Sequence, residues 1–168
     1  MPGIQQPVVR IISQPANSVM PMVGLMFGLA FLVREQSWWW VVGLAFFVGA
    51  FASHTLFVII HECTHNLIFK RRLLNTLTGI LANTPQVIPS YVSFTHYHLE
   101  HHTHQGIYEL DADLPSKWEA RLIGNSFWGK AMWLVLFPLF QILRLSRFKR
   151  KKGIDPWMLL NIALVFSV

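Results

Sequence analysis

Residues 38–65 read WWWVVGLAFFVGAFASHTLFVIIHECTH, an apolar run that contains no Asp, Glu, Lys or Arg up to Ile60. A helix from Trp38 to His61 is about 34 Å long at the helical rise of about 1.5 Å per residue, which is enough to cross the hydrocarbon core of a bilayer. The three tryptophans at its start are typical of the membrane interface. The pattern predicts a membrane-spanning helix that carries His61 and His65 at its far end.

A second apolar stretch precedes this run. No charged residue occurs between Arg10 and Arg34, and the most apolar part of the interval is residues 19–33. Residues 34–37 read Arg-Glu-Gln-Ser and predict a short turn between the two stretches. Charged residues make up only 13% of the chain, compared with about 25% in soluble domains. The sequence therefore predicts a transmembrane helical hairpin.

The segments after the hairpin are less apolar. Residues 73–81 are expected to lie along the membrane interface and to end before Pro85, because proline interrupts a helix. Residues 95–126 are polar and are expected in the cytosol. Residues 127–143 contain Lys130 and are too short for a secure span, so they predict an interfacial or re-entrant helix. The predicted fold class is all-α: a polytopic membrane protein with a helical hairpin, interfacial helices and a cytosolic histidine-rich segment.

The net charge of +6 is concentrated in clusters. One cluster, residues 70–72, follows the hairpin directly, and a second is formed by Arg144, Arg147 and residues 149–152. Positive residues favour the cytosolic face and anionic lipid head groups, and no nucleic-acid partner is expected. The single cysteine, Cys63, excludes an internal disulfide bond and is compatible with a reducing cytosolic face.

All eight histidines lie between residues 54 and 104. On a helix, spacings of four and seven residues return to one face, and a set such as His-x-x-His-His spans about 100°. His96 and His104 fall outside the shared faces and are interpreted as solvated interfacial residues. The predicted metal ligands are therefore His61, His65, His98, His101 and His102, with His54 as an additional candidate.

Four acidic residues and one asparagine accompany these histidines. A carboxylate beside a ligating imidazole commonly orients the ring and fixes its tautomer. Asn66 is expected either to hold a metal-bound water or to cap the end of the helix. The predicted supporting residues are Glu62, Asn66, Glu100, Asp111 and Asp113, and no catalytic residue is expected beyond the metal ligands.

Three kinds of metal site are compatible with these residues. Residues 61–65 fit H-E-x-x-H, in which two histidines bind zinc and Glu62 acts as the general base of a metalloprotease. A membrane anchor that merely buffers metal is a non-enzymatic alternative. The number of imidazoles exceeds the three ligands of an open zinc site and suits two iron ions that activate O2 to attack a C–H bond of a lipid chain.

The motif H-x-x-x-H is followed by H-x-x-H-H, and each comes after a membrane hairpin. This arrangement resembles the membrane fatty acid desaturase and hydroxylase superfamily. The similarity is greatest to sphingolipid Δ4-desaturases and covers residues from about 19 to the end. It is carried by residues 53–66, 83–85, 88–89, 93–94, 97–102 and 111–115.

This resemblance implies a di-iron site on the cytosolic face, formed by two non-haem iron ions, with an acyl chain held in a tunnel. It implies O2 as the oxidant and a cytochrome b5-like or ferredoxin-like electron donor. The membrane would be the endoplasmic reticulum in a eukaryote or the inner membrane in a bacterium. A di-iron lipid hydroxylase is an alternative, since ligands alone do not separate it from a desaturase.

One departure from the family pattern concerns the C-terminal part. The family carries a third box, H-x-x-H-H, whereas this chain has no histidine after His104. The apolar residues 157–168 also end before a full span is complete. We therefore expect residues 1–168 to be the N-terminal part of a single membrane desaturase domain and to be inactive alone.

Overall fold

The fold was analysed in a computed structural model, which describes residues 5–145 and 155–167. Within these residues it contains α-helices and no β-strand, which confirms the all-α prediction. A π-helical turn, Ala45–Gly49, joins α2 to α3, and a 3-10 turn, Thr84–Gln86, follows α4. The helices are α1 (Gln5–Val33), α2 (Trp38–Leu44), α3 (Ala50–Thr64), α4 (Arg72–Asn83), α5 (Tyr91–His104), α6 (Lys117–Ile123), α7 (Phe127–Val135), α8 (Phe137–Leu145) and α9 (Pro156–Phe166).

Among the residues that the structure describes, two helical segments are long and apolar enough to cross a membrane. They are Ala16–Val33 and Trp38–Thr64, of 18 and 27 residues, and the polar turn after Val33 separates them as predicted. The second segment is about 40 Å long at about 1.5 Å per residue, which exceeds a hydrocarbon core of about 30 Å. The predicted helical hairpin is therefore present, and its second helix is long enough to extend beyond the bilayer.

The two halves of the second segment differ in their surroundings. No residue of α2 or of the π-helical turn is buried, and large aromatic side chains such as Phe46 and Phe47 are exposed there. From Ala52 onward, α3 buries one face, including Leu56 and Ile59. Exposed aromatic residues suit contact with lipid, whereas the buried face of α3 belongs to a protein core.

The described residues divide into two compact units, which are considered separately. The first contains the residues up to Phe94 together with α9. Its core forms where α4 packs along α3 and α1, with Leu56, Ile60 and Ile80 almost fully buried. As expected, α4 ends before Pro85. The interfacial position predicted for residues 73–81 remains a prediction.

The turn between α4 and α5 is held by the side chain of Asn83. Its Oδ1 accepts hydrogen bonds from the backbone N–H groups of Ser90 and Tyr91 at 2.9 and 3.1 Å, and its Nδ2 donates to the Ile88 carbonyl at 3.0 Å. Asn161 of α9 donates to the same Oδ1 at 2.9 Å, across 78 positions of sequence. One buried amide therefore connects the turn with the last helix of the first unit.

The close approach of α4 to α5 depends on Gly79. A Cβ atom at this position would lie 2.2 Å from Cε2 and 2.4 Å from Cζ of the buried Tyr91 ring. We expect Gly79→Ala to lower the unfolding free energy by about 1 to 3 kcal/mol, because the ring must move in a packed core. Thermal unfolding would test this. Gly43→Ala is the matched control, since no atom lies within 4 Å of its Cβ, and an equal loss there would contradict the explanation.

The second unit begins at Thr95 and contains most of α5 as well as α6, α7 and α8. The predicted helix over residues 127–143 is interrupted at Leu136, so that α7 and α8 have nine residues each. Each is about 14 Å long, which is too short to span a bilayer. Their predicted location at the interface is compatible with this length but is not tested by it.

One residue of the predicted head-group cluster lies elsewhere. Arg144 is 2% exposed and forms an ion pair with the fully buried Glu119. The prediction that Arg144 contacts lipid head groups was therefore wrong, because a buried acid partner satisfies its charge inside the second unit. The other members of the cluster, Arg147 and residues 149–152, lie outside the described residues.

Candidate metal centre

The first histidine pair stands at the end of α3. His61 and His65 are separated by one helical turn, and their ring centroids are 4.7 Å apart. Asn66 has a left-handed backbone with φ of 57°. The N–H of Asn66 donates to the Cys63 carbonyl and the N–H of Leu67 to the Glu62 carbonyl, both at 3.0 Å. This is the Schellman pattern of a helix end, and Asn66 ends α3 through its backbone. The alternative role of Asn66, holding a metal-bound water, stays a prediction.

Glu62 orients the first ring of this pair. Its Oε1 lies 3.1 Å from Nδ1 of His61. When Nδ1–H donates to a carboxylate, the neutral imidazole presents Nε2 as its acceptor nitrogen. The contact leaves Nε2 of His61 as the acceptor nitrogen, and the predicted metal-supporting role of Glu62 stays a prediction.

The second histidine pair lies on α5. The Nε2 atoms of His98 and His102 are 3.0 Å apart, and their ring centroids are 4.5 Å apart. Two imidazole nitrogens at this distance either share a hydrogen bond or point to one metal position. The i, i+4 spacing brings these rings together in the same way as at the end of α3.

His101 was predicted to face the same side as His98 and His102, but its ring makes a different contact. Its Nδ1 lies 2.8 Å from Oδ1 of Asp111 and 3.6 Å from Oδ2 of Asp113. The ring of His101 nevertheless lies beside the pair, with its centroid 5.4 Å from that of His102 and 6.1 Å from that of His98. Asp111 and Asp113 approach His101 as expected of supporting carboxylates.

Asp111 is held in place from several sides. It is 1% exposed, and its two carboxylate oxygens accept hydrogen bonds from the N–H groups of Gly106 and Asp113, both at 2.9 Å. Burial alone would raise the pKa of Asp111, but these bonds and the contact with His101 outweigh it and lower the pKa. The same contact raises the pKa of His101, with a further contribution from Asp113. The contact between His101 and Asp111 thus favours a proton on Nδ1 of His101.

The remaining predicted residues are not brought into these pairs. His54 is exposed and lies seven residues before His61, about 10 Å away along the helix axis. His104 directs Nδ1 to the backbone carbonyl of Glu100 at 3.2 Å, which agrees with its exclusion from the ligand set. His96 is exposed. The predicted roles of His54 and of the Glu100 carboxylate stay predictions.

The sequence reasoning missed a buried network around Glu119. Its carboxylate accepts hydrogen bonds from Trp133 Nε1, the Ser116 N–H and the Arg144 guanidinium, the Nε of which lies 3.0 Å away. Arg144 also donates from Nη1 to the Asp113 carbonyl at 3.0 Å. The only available signal was the Ser-x-x-Glu pattern at residues 116–119, which forms the capping box of α6.

This network predicts a dependence of stability on pH. Burial would raise the pKa of Glu119, but the hydrogen bonds from Arg144 and Trp133 outweigh it and lower the pKa to about 2 from 4.5. Because the folded-state pKa is depressed, the stabilisation is complete above about pH 4.5 and is lost as the pH falls toward 2. We expect a loss on the order of 3 kcal/mol in that window, measured by unfolding at several pH values.

The control for this pH prediction is a variant that lacks both charges, Glu119→Leu with Arg144→Met. Its melting temperature should fall less steeply between pH 4.5 and 2 than that of the unsubstituted protein. If the melting temperatures of the two proteins fall equally steeply with pH, the acid sensitivity comes from other carboxylates.

Comparison with known proteins identifies the family. The fatty acid desaturase family matches residues 37–168. The sphingolipid delta(4)-desaturase DES1-like protein of Oryza sativa subsp. japonica is 37% identical over 147 residues, which are 88% of this chain and 44% of the relative. Sphingolipid delta(4)-desaturase DES1 of Drosophila melanogaster is 40% identical over 116 residues, 68% of this chain and 36% of the relative. The Gallus gallus protein of that name is 38% identical over 128 residues, which are 75% of this chain and 39% of the relative.

The fold and the histidine pairs define a helical membrane protein with a histidine-rich site. The match over residues 37–168 shows that the chain belongs to the fatty acid desaturase family. The resemblance to sphingolipid Δ4-desaturases is confirmed by the relatives, and the chain spans less than half of the length of those described above. No solved structure gives a significant match.

Proposed function

We propose that this chain is part of a membrane lipid desaturase, an oxidoreductase that introduces a double bond into an acyl or sphingoid chain. The observation that carries the proposal is the occurrence of two i, i+4 histidine pairs, at His61 and His65 and at His98 and His102, inside the region matched by the fatty acid desaturase family. Residues 1–168 would form part of one desaturase domain.

The donor atoms fit two non-haem iron ions. Neutral imidazole is a good ligand for iron, and a carboxylate on the opposite ring nitrogen makes it a better one. The proposed ligands are His61, His65, His98, His101 and His102, with His54 as a further candidate. Bound iron would supply the O2-dependent oxidising power needed to remove hydrogen from an unactivated C–H bond.

The chain's own residues have defined tasks in this proposal. Glu62 and Asp111 hold Nδ1 of His61 and His101, respectively, so that Nε2 of each ring is directed to a metal. The exposed apolar surface of α2 and the π-helical turn keeps the hairpin in lipid, next to the source of the substrate. The helix cap at Asn66 fixes where the chain leaves α3 and thereby the orientation of His65.

The partners and the location follow from the same proposal. The substrate would be a membrane lipid, and sphingolipids are favoured by the names of the relatives. The electrons would come from a cytochrome b5-like or ferredoxin-like donor. Residues 70–72, all exposed directly after the first histidine pair, favour the cytosol for this face, in the endoplasmic reticulum or the bacterial inner membrane.

Lipid analysis of cells that express the complete gene tests the proposal. New double bonds in sphingoid bases would support the sphingolipid assignment, and new double bonds in ordinary acyl lipids would redirect it. Hydroxylated chains without unsaturation would instead favour a di-iron hydroxylase. Metal analysis of the purified protein is the second measurement: a single zinc ion and no iron per chain would defeat the di-iron proposal.

The competing zinc metalloprotease depends on Glu62 as a general base. Family membership favours the desaturase, and two variants separate the alternatives. Glu62→Gln should abolish a protease but only weaken a desaturase, by about 10- to 100-fold, because an orienting carboxylate is lost. His101→Ala should abolish the desaturase, whereas a protease built on residues 61–65 does not need this histidine.

A further inference from the structure

A chain of contacts within the second unit leads from a buried ion pair to the ring of His101. Glu119 on α6 binds the guanidinium of Arg144 on α8, and both side chains are almost completely buried. Arg144 then donates from Nη1 to the Asp113 carbonyl at 3.0 Å. Two residues earlier, Asp111 contacts Nδ1 of His101.

Arg144 occupies a branching point in this chain of contacts. Nε and Nη2 face Glu119, whereas Nη1 faces the Asp113 carbonyl and, at 2.9 Å, Oε1 of Gln141. The planar guanidinium can make these contacts at once because its donors are fixed in a fork, which an ammonium group lacks. The ion pair therefore fixes the position of a backbone carbonyl that lies outside any helix.

The turn that receives this contact is also held by other hydrogen bonds: Gln141 Nε2 of α8 donates to Asp113 Oδ1 at 3.4 Å, and the Asp111 N–H donates to the Ile107 carbonyl at 2.8 Å. Residues 105–116 contain no helix, and Asp113 is exposed. The turn is closed by the Asp111 carboxylate, which accepts from the N–H groups of Gly106 and Asp113. Arg144 supplies the bond from α8 to the backbone carbonyl of this turn.

We propose that Glu119 and Arg144 are positioning residues: together they fix the turn at Asp111–Asp113 and, through it, the orientation of the His101 imidazole. The part that concerns metal binding rests on the proposed function, in which His101 is a ligand. A buried ion pair is weak evidence for stability, since apolar residues of similar volume often replace one without loss. A buried pair that also binds the turn therefore points to positioning.

The decisive variant replaces both charges with apolar side chains, Glu119→Leu with Arg144→Met, in the protein expressed from the complete gene. We expect it to fold with a melting temperature at neutral pH within about 5 °C of the original. Hydrogen exchange at the Gly106 and Asp113 amides of the iron-free protein should accelerate at least about tenfold. Iron affinity should fall about 10- to 100-fold, as for other partners that orient a ligand.

A second variant and a control complete the test. Arg144→Lys keeps a positive charge beside Glu119 but cannot also reach the Asp113 carbonyl through a fork, so it should accelerate the same amides and carries the test if the double variant does not fold. Arg121→Met is the control, because it removes an exposed arginine from α6, the helix that carries Glu119. It should change neither the hydrogen exchange of these amides nor the iron affinity.

Coupling to Asp111 distinguishes positioning from general stabilisation. If the pair acts through Asp111, adding Asp111→Asn to the double variant should lower the iron affinity no further, whereas independent effects would multiply. Unchanged exchange at Gly106 and Asp113 would overturn the proposal, as would fast exchange with undiminished iron affinity. If the unsubstituted protein binds no iron, the proposed function fails, while the exchange measurements still decide whether the pair fixes the turn.

Discussion

Replacing His61 with alanine is expected to lower desaturase activity and iron content as severely as the loss of any other proposed ligand. The residue combines a position at the end of α3, a neighbouring ring at 4.7 Å and a carboxylate at 3.1 Å that sets its tautomer. Loss of an orienting partner alone costs about 10- to 100-fold, so loss of the ligand should cost more than about 100-fold. Iron content of the purified protein and double-bond formation in cells would measure it.

The matched control is His104→Ala. His104 contacts a backbone carbonyl at the end of α5 and was excluded from the ligand set, so activity should change by less than about twofold. If His104→Ala removes iron as completely as His61→Ala, the division of the histidines into ligands and non-ligands is wrong.

Replacement of Asn83 with alanine is expected to cause the largest loss of stability. The side chain is fully buried and makes hydrogen bonds to Ser90, Tyr91, Ile88 and Asn161. Removing it leaves two buried and two partly buried polar groups without this partner, and each buried group is worth about 1 to 3 kcal/mol, not additively. We expect a decrease of about 3 to 5 kcal/mol in unfolding free energy, measured by denaturant titration in detergent.

Asn125→Ala provides the comparison for this loss. Its amide oxygen makes one exposed contact, with Lys130 Nζ at 2.7 Å, and should contribute less than about 1 kcal/mol. A similar decrease for both asparagines would show that burial and the number of hydrogen bonds are not the cause. The Gly79 and Asn83 variants report on the stability of the first unit, and the pH dependence reports on that of the second unit.

The parts of the fold that follow from local periodicity were predictable. Two uncharged apolar runs separated by four polar residues specify a helical hairpin, because a helix satisfies its backbone polar groups within its own segment when it crosses lipid. The closeness of the two rings within each histidine pair was also predictable, since a helix brings residues at i and i+4 onto one face. The π-helical turn at Ala45–Gly49 left no signal in this pattern, because it only shifts the register within an apolar run.

The orientation of His101 and the burial of Arg144 could not be read from periodicity. His101 shares a helical face with its neighbours, but an acid ten residues later in an irregular turn binds its ring. Arg144 resembles the basic residues that follow it in sequence, and its partner Glu119 is 25 positions away. Contacts of this kind depend on how helices and turns pack against one another, and local sequence patterns do not predict that packing.

The bond between Asn161 and Asn83 also sets an order of events during biosynthesis. At about 5 to 20 residues per second, a ribosome needs several seconds to proceed from Asn83 to Asn161, 78 residues later. The α1–α3 hairpin and α4 have left the ribosome by then, whereas the amide of Asn83 still lacks its donor from α9. The first unit is therefore closed only after the residues of the second unit have been made.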